Sequence, residues 1–493
     1  MSHCTVSDSS AHLRRGVYLL LIALAVGNLT GRLLAVNSID TIRLEKQLND
    51  EEKKKPVAEQ KIRNLQRPFL SGNDRSRWCT VRALVEYGTY AIDDVIQQPN
   101  WDTIDMVKHD GQGNPATGPD EGHCYSSKPP LLATLMAGEY WLLHKLTGHT
   151  LLTHPYELGR VLLFTWNVLP FALYLVILAR IVERYGRSDW GRIFVVAVGA
   201  LGTLLTTYAT VFTNHWPGAL AAMIALDATL RILYEDERRL RWFFVAGVSA
   251  AFMATCELPA LSFFGLVGLL LLWKSPRATL LAGVPGVLIV AAAALGTNYA
   301  AHGTIRPAYS ERHTVGGWYD YQYRRGERVI DSYWKPTTAK SKIDQGEASI
   351  PNYAFHVLVG HHGIFSLTPV WILSLIGLGL MVTPRDSTTA DTRAIAAAIL
   401  LCTVVCLVFY VTRPLEDRNY GGTATGFRWA MWMAPLWLFG MLPTVDAMSH
   451  CRYRRGLASL LLTISVISVS YPIWNPWTLP WLQVFWEYLF GVS

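Results

Sequence analysis

Apolar residues in this chain are grouped in runs of about twenty, the number that a helix needs to cross the hydrocarbon core of a bilayer. The connections between the runs are polar and mostly short. The pattern predicts spans at 16–36, 157–180, 192–212, 216–234, 242–256, 258–273, 278–300, 363–383, 392–412, 428–447 and 457–475. The chain is therefore expected to be an all-α polytopic membrane protein with about eleven transmembrane helices.

The placement of basic residues predicts the orientation of the spans. Arg14-Arg15 precede the first run, and the later short connections at 180–192, 238–241, 274–277, 385–393 and 452–455 are also basic. All of them share one side if the apolar segment at 131–147 lies at the membrane interface and does not cross. Because short basic loops stay in the cytoplasm, the N-terminus is expected to be cytoplasmic.

This topology divides the chain into a cytoplasmic tail, a first span, two large extracytoplasmic loops and two groups of spans. Their expected limits are 1–15, 16–36, 37–156 (first loop), 157–300 (transmembrane core), 301–362 (second loop) and 363–493 (C-terminal transmembrane module). The one N-glycosylation sequon found lies inside an apolar run, at Asn28. That position favours a bacterial chain located in the cell (inner) membrane.

Composition narrows the function. A chain of 493 residues with 51% hydrophobic content is not a soluble protein. Its net charge of +7 requires no nucleic-acid partner, because the basic residues are explained by topology. The seven cysteines lack metal-ligand spacing. Cys79 and Cys124 share the first loop. The sequence is compatible either with a disulfide between them or with two free thiols.

The first loop opens with an amphipathic pattern. Trp78, Val81 and Val85 fall on one side of a helix, with charged residues elsewhere. Asn73 is a suitable cap and Gly88 a suitable stop, so a short helix is expected at the membrane surface. Later in the loop, Lys128 precedes two prolines and an apolar run. This order predicts an extended segment that leads into a helix, with Lys128 at the start of that helix.

Two short motifs in this loop resemble a known family. Asp74-Arg75-Ser76-Arg77-Trp78, followed by Lys128-Pro129-Pro130-Leu131, is similar to the first-loop motifs of C-type glycosyltransferases. The protein O-mannosyltransferases and lipid A aminoarabinose transferases are the nearest groups. Those families usually carry a second acid where this chain has Arg75, and often an acid where it has Ser127. The departures remove two candidate metal ligands and keep Asp74, Arg77 and Lys128.

The resemblance implies transfer of a sugar from a polyprenyl-phosphate donor to an acceptor hydroxyl by an inverting displacement. Asp74 would be the base, and Lys128 would hold the lipid phosphate with help from Arg77, Arg312 and Arg428. Phosphate leaves readily, so one carboxylate and several cations are sufficient. Simpler alternatives remain: Asp74 complements a helix N-terminus, Lys128 only extends to the interface, and Arg77 pairs with Asp74.

Other polar residues at the predicted outer ends of spans are candidate substrate contacts, because ionisable groups at membrane depth are costly. They are His215, Glu257, His361 and His362. Asp93-Asp94 is a candidate second acid or metal site, or simply a turn. No cofactor is required by these patterns, although a divalent cation remains open.

Two classes of function fit these features. One is the glycosyltransferase, and the other is a transporter or flippase that binds a lipid-linked sugar without chemistry. Transporters commonly place binding groups near the membrane midplane on repeated halves. This chain shows no such repeat, and its polar groups crowd one predicted face, which favours the enzyme. The acceptor, whether protein, lipid or polysaccharide, is not indicated.

Overall fold

The computed structural model describes residues 3–35, 49–60, 69–312, 314–384, 388–472 and 475–491. The part that it describes is mostly helical, with two small antiparallel hairpins. The predicted start of the first loop, at 37, lies outside the described residues.

The helices follow one another through the whole chain. They are α1 His3–Ala35, α2 Gly72–Glu86, α3 Asp93–Ile96, α4 Pro130–Thr147, α5 Pro155–Leu163, α6 Leu169–Tyr185, α7 Asp189–Leu201, α8 Leu204–Tyr208, α9 His215–Tyr234, α10 Leu240–Cys256, α11 Leu261–Lys274, α12 Pro276–Ala278, α13 Val284–His302, α14 Ile350–Leu358, α15 Ile364–Leu367, α16 Trp371–Val382, α17 Ala390–Val411, α18 Ala434–Met448, α19 Arg452–Ser470 and α20 Trp481–Phe490. The strands are β1 Met106–His109, β2 His123–Ser126, β3 Gln322–Arg325 and β4 Arg328–Asp331.

Within the described residues, six helical stretches are long and apolar enough to cross a membrane. They are Ser10–Ala35, Pro155–Tyr185, Asp189–Tyr208, His215–Tyr234, Pro276–His302 and Ala390–Val411, and each coincides with a predicted span. Leu240–Cys256, Leu258–Lys274 and Trp371–Val382 are apolar but shorter. The structure therefore confirms a helical, multi-pass membrane protein, whereas the number eleven stays a prediction.

Three predicted spans differ from the helices observed. The expected span at 192–212 is interrupted between α7, which ends at Leu201, and α8, which begins at Leu204. The expected span at 363–383 is divided, because α15 ends at Leu367 and Thr368 takes a non-helical conformation (φ −128°, ψ 67°). Thr368 precedes Pro369, whose ring disfavours helical geometry in the residue before it. The expected span at 428–447 starts as a 3₁₀ turn over Arg428–Met433, and its α-helix begins only at Ala434.

The helix α2 is more deeply buried than its pattern predicts. Its residues from Asp74 to Ala83 are all buried against the rest of the protein, whereas its place at the membrane surface stays a prediction. The polar side is covered as well, because Arg75 donates to the backbone carbonyls of Phe69 and Asp102. The predicted cap is wrong. Ser71, and not Asn73, caps the helix, and its Oγ accepts the N–H of Asp74.

The ends of the two first-loop helices otherwise follow the prediction. Gly88 takes a left-handed conformation (φ +70°) just after α2, and α4 begins at Pro130. The helix α4 is not among the six long apolar stretches, and its interfacial position stays a prediction. Cys79 and Cys124 are both buried free thiols, so the structure does not contain the disulfide between them.

Candidate active site

A cavity of about 340 Å³ lies where the start of α2, the β1–β2 hairpin, the start of α9 and the end of α10 meet. Its wall is rich in ionisable side chains. They are Arg77, Asp105, Lys128, His215, Glu257, Arg312, Asp344, Arg413, Asp417 and Arg428. Five cations and four carboxylates, with one histidine, therefore share one chamber.

The β1–β2 hairpin brings Asp105 and Lys128 together. Its register pairs Met106 with Ser126, so the residues just outside the two strands become neighbours. Ser76 on α2 fixes both ends, since its Oγ is 2.6 Å from the carbonyl oxygen of Asp105 and 2.6 Å from Ser126 Oγ. The hairpin is thereby tied to α2, the helix that carries Arg77.

Lys128 is a buried cation just beyond the end of this hairpin. Its Nζ is 3.2 Å from Asp105 Oδ1, and both side chains are about nine-tenths buried. Burial lowers the pKa of Lys128 to about 8; Asp105 opposes this, and the charges of Arg77 and Arg312 add to it. Burial alone would raise the pKa of Asp105, but Lys128 and the nearby arginines hold that pKa below its usual value. Because Lys128, Arg77 and Arg312 surround a single carboxylate here, this part of the cavity favours the binding of an additional anion.

Arg77 lies on the same wall and is held by neutral groups. Its Nε donates to Asn214 Oδ1 (2.8 Å), and its Nη1 donates to the carbonyl and side-chain oxygens of Asn73 (2.9 Å each). In the residues that the structure describes, no carboxylate lies within ion-pair distance of Arg77. The alternative of an Arg77–Asp74 ion pair is therefore not seen. Burial lowers the pKa of Arg77.

Glu257, His215 and Arg428 form a hydrogen-bonded row in the wall. Arg428 Nη1 donates to His215 Nε2 (2.6 Å). Since Arg428 can only donate, the histidine proton must be on Nδ1, which donates to Glu257 Oε1. No hydrogen bond from the described part of the chain reaches Oε2 of Glu257. This row leaves one carboxylate oxygen available to a substrate.

The loop before Arg428 fixes its guanidinium. Tyr420, Gly421 and Gly422 all have positive φ, at 58°, 94° and 77°. This turn directs the carbonyl of Gly421 at Arg428, whose Nε donates to it (3.0 Å). Glycine suits position 421 because it tolerates a positive φ. It also avoids a close contact, since a Cβ there would lie 3.2 Å from that Nε.

The remaining wall carboxylates are already occupied. Asp417 pairs with Arg312 (3.0 Å) and with Arg413. Asp344 accepts from Tyr333 and Ser341 at one oxygen and from Asn419 at the other. Of the four wall carboxylates, Glu257 is thus the one without a cationic partner and with an oxygen to spare.

Asp74 lies behind the wall and does not line the cavity. Its Oδ1 accepts two buried donors, Trp78 Nε1 and the backbone N–H of Phe212, each at 3.0 Å. Burial raises the pKa of Asp74 to about 7, although these donors and Arg77 and Arg75 lower it. The geometry therefore gives Asp74 a structural position, and its predicted role as base remains untested.

Asp74→Ala is expected to destabilise the protein by about 2–6 kcal/mol, because two buried N–H groups lose their acceptor at about 1–3 kcal/mol each. Asp74→Asn keeps an oxygen at this position and should stay within about 1 kcal/mol of the original protein. Thermal unfolding of both variants measures the difference. Equal melting temperatures for Asp74→Ala and the original would contradict the structural role.

Four further candidates also lie outside the cavity wall. Asp93 accepts the backbone N–H of Cys124 (3.1 Å) at the edge of the hairpin, and Asp94 is in the same first turn of α3. His361 and His362 pack their rings against Tyr420. The structure therefore does not bring them to the other candidates. No group of three or more His, Cys, Asp or Glu side chains in the described ranges could hold a metal ion.

The cavity brings together six of the candidate residues, whose roles stay predictions: Arg77, Lys128, His215, Glu257, Arg312 and Arg428. Four ionisable wall residues are not among the residues that the sequence predicts: Asp105, Asp344, Arg413 and Asp417. A signal for Asp105 was present, because it lies in the same polar loop as Lys128.

No family model matches the chain, and no curated protein matches it. Solved structures of an oligosaccharyltransferase from the archaeon Archaeoglobus fulgidus show a distant structural similarity to this chain. Its apo form has a TM-score of 0.44 at 11% identity, over 94% of this chain and 56% of that chain. AglB from this archaeon, with an inhibitory peptide and a dolichol-phosphate, gives 0.45 at 10% identity over the same shares. A complex with Zn and sulfate gives 0.45 at 13%, over 96% and 56%. The present chain thus spans little more than half of their length.

Proposed function

We propose that the protein is a membrane glycosyltransferase that moves a sugar from a lipid-phosphate donor to an acceptor hydroxyl. The observation that carries the proposal is the cavity in which Lys128 and Arg77 lie near a carboxylate, Glu257, that has a spare oxygen. The motif resemblance around Arg77 and Lys128 supports the same chemistry.

The cations provide the phosphate site. Lys128 offers a compact charge, and Arg77 offers a planar guanidinium that is already oriented by Asn214 and Asn73. Arg428 adds a third cation, placed by the carbonyl of Gly421. Because these groups are buried and fixed before the donor arrives, they can stabilise the charge that develops on the departing phosphate without reorganising.

The reaction is a single displacement at the anomeric carbon. The acceptor oxygen forms a bond to that carbon while the bond from the carbon to the phosphate oxygen breaks, and the electron pair leaves with the lipid phosphate. We assign the base to Glu257, whose Oε2 takes the acceptor proton while His215 holds Oε1. Asp105 is a poorer base, because its carboxylate is paired with Lys128.

The proposal is tested by transfer from a panel of radiolabelled polyprenyl-phosphate sugars to a membrane extract, using purified protein in liposomes. The expected result is labelled acceptor and free polyprenyl phosphate in equal amounts. Movement of intact donor across the liposome membrane without cleavage would favour the transporter and contradict the proposal. A heat-inactivated sample is the control and should release no polyprenyl phosphate, whereas the Glu257→Gln variant should release it about 100- to 10,000-fold more slowly.

A further inference from the structure

Arg32 is a buried charge in the first candidate span, remote from the wall described above. It lies three residues before the end of α1 and is 8% exposed. Its Nη2 donates one long hydrogen bond, 3.4 Å, to the carbonyl of Ser470, and its Nε has no partner among the residues that the structure describes. In the described ranges, no carboxylate lies within ion-pair distance of this guanidinium.

A separate cavity of about 80 Å³ lies beside Arg32, between α1, the α7–α8 stretch and α19. Asn28, Thr206 and Ser470 supply polar lining next to the guanidinium, and the rest of the wall is apolar. Asn28 is itself exposed, so the cavity reaches the outside of the helix bundle there. Leu24, one turn earlier on α1, is 55% exposed, as expected of a side chain that faces lipid.

An isolated buried cation costs several kcal/mol unless it is paired and hydrogen-bonded. Water can accept hydrogen bonds from Arg32 but cannot neutralise its charge. A phosphate oxyanion does both, because its oxygens match the donors of a guanidinium, and the Asn28 amide can donate to a third oxygen. The orphaned Nε and the polar cavity therefore point to the same class of ligand.

The depth of Arg32 fits a lipid headgroup. The span Ser10–Ala35 has 26 residues, which is about 39 Å of helix and longer than the roughly 30 Å hydrocarbon core. A residue near its end therefore lies at the level of lipid phosphates. Thr206 is near the end of the Asp189–Tyr208 stretch, shortly before His215 of the active-site wall, so both cavities lie at the same end of the bundle.

We propose that the Arg32 cavity binds a phosphate oxyanion, supplied by the headgroup of an anionic phospholipid in the surrounding leaflet. The opening at Asn28 allows the headgroup to enter sideways while the acyl chains remain along the outer face of α1. This proposal does not depend on the proposed glycosyltransferase function. The experiment measures thermal stability and not enzyme activity.

The experiment follows thermal unfolding of the delipidated full-length protein in detergent, with phosphatidylglycerol and, separately, with inorganic phosphate. Phosphatidylglycerol should raise the melting temperature of the original protein by about 2–5 °C. Arg32→Met should lose this rise. Thr206→Leu, which fills the cavity and keeps Arg32, should lose it as well. Arg160→Met is the matched control, because Arg160 donates to Leu34 O near the same end of α1 but does not line the cavity.

A rise with phosphatidylglycerol in the original and Arg160→Met, absent from the other two variants, supports the lipid site. An equal rise with inorganic phosphate alone, again lost in Thr206→Leu, supports the oxyanion site with a free ion as its source. Equal shifts in all four proteins, or no shift in any, overturn the proposal. If Arg32→Met does not fold, the comparison between Thr206→Leu and Arg160→Met decides.

Discussion

Glu257→Gln is expected to lower turnover by about 100- to 10,000-fold, the usual worth of a positioned acid–base group. The substitution removes the proton acceptor and preserves the shape, because a glutamine oxygen can still accept from His215 Nδ1. Donor affinity and melting temperature should stay close to those of the original protein. Turnover and donor binding are measured on the same preparation.

Two matched variants make this result specific. Asp344→Asn changes another wall carboxylate, whose oxygens are already occupied by Tyr333, Ser341 and Asn419, and should leave turnover within about tenfold. Asp74→Asn tests the base implied by the motif resemblance. If Asp74→Asn abolishes transfer while Glu257→Gln does not, then Asp74 is the base and our assignment is wrong.

Part of the wall was predictable from the sequence. Ionisable groups are costly at membrane depth and so need a specific reason to be there, which singles out His215 and Glu257, while the motif resemblance adds Arg428. The structure places all three in one hydrogen-bonded row. The rule identifies which residues are unusual, but it contains no distances, and so it also selected His361 and His362, which pack against Tyr420.

The position of Asp74 behind the wall could have been read from spacing. Asp74 is four residues before Trp78, so both lie on one face of α2. Trp78 was already assigned to the apolar stripe, and its indole N–H does bond Asp74. Arg77 and Asn73, also four residues apart, share the face that lines the cavity. The motif resemblance indicates Asp74 as a site residue, whereas helix geometry places it away from the face that lines the cavity.

The polar loop indicates Asp105 as a possible wall residue, but its contact with Lys128 could not be predicted from the sequence. Its place beside Lys128 depends on the register of two four-residue strands, Met106–His109 and His123–Ser126. Strands this short carry little periodicity, and the loop between them contains several Gly and Pro turn positions, none of which alone fixes the register. The pairing is decided by tertiary contacts such as those of Ser76, which no local pattern contains.

Lys128→Met is expected to weaken donor binding by about 1.5–3 kcal/mol, or roughly 10- to 150-fold, because a hydrogen bond to a charged group is lost. The substitution also leaves Asp105 buried without its cation, which by itself would repel a phosphate. Lys128→Met combined with Asp105→Asn removes both charges together. Binding of a polyprenyl phosphate to both variants separates the loss of the cation from the unpaired carboxylate.

The same lysine gives the binding reaction a pH dependence. Burial lowers the pKa of Lys128 to about 8, so the free protein loses this charge as pH rises through that value. Donor affinity should then fall by up to about tenfold per pH unit between pH 8 and 10. In Lys128→Arg, the guanidinium stays charged throughout, and this fall should disappear.

The pH dependence of stability that arises from Lys128 cannot cause this fall in donor affinity, because it has the opposite sign. Its pKa in the folded protein lies below the usual value of 10.5, so between about pH 8 and 10.5 the unfolded chain binds more protons at this residue. Stability contributed by Lys128 therefore rises with pH across the window in which affinity falls. Donor affinity that is flat from pH 7 to 10, in protein shown to remain folded, would remove Lys128 from the phosphate site.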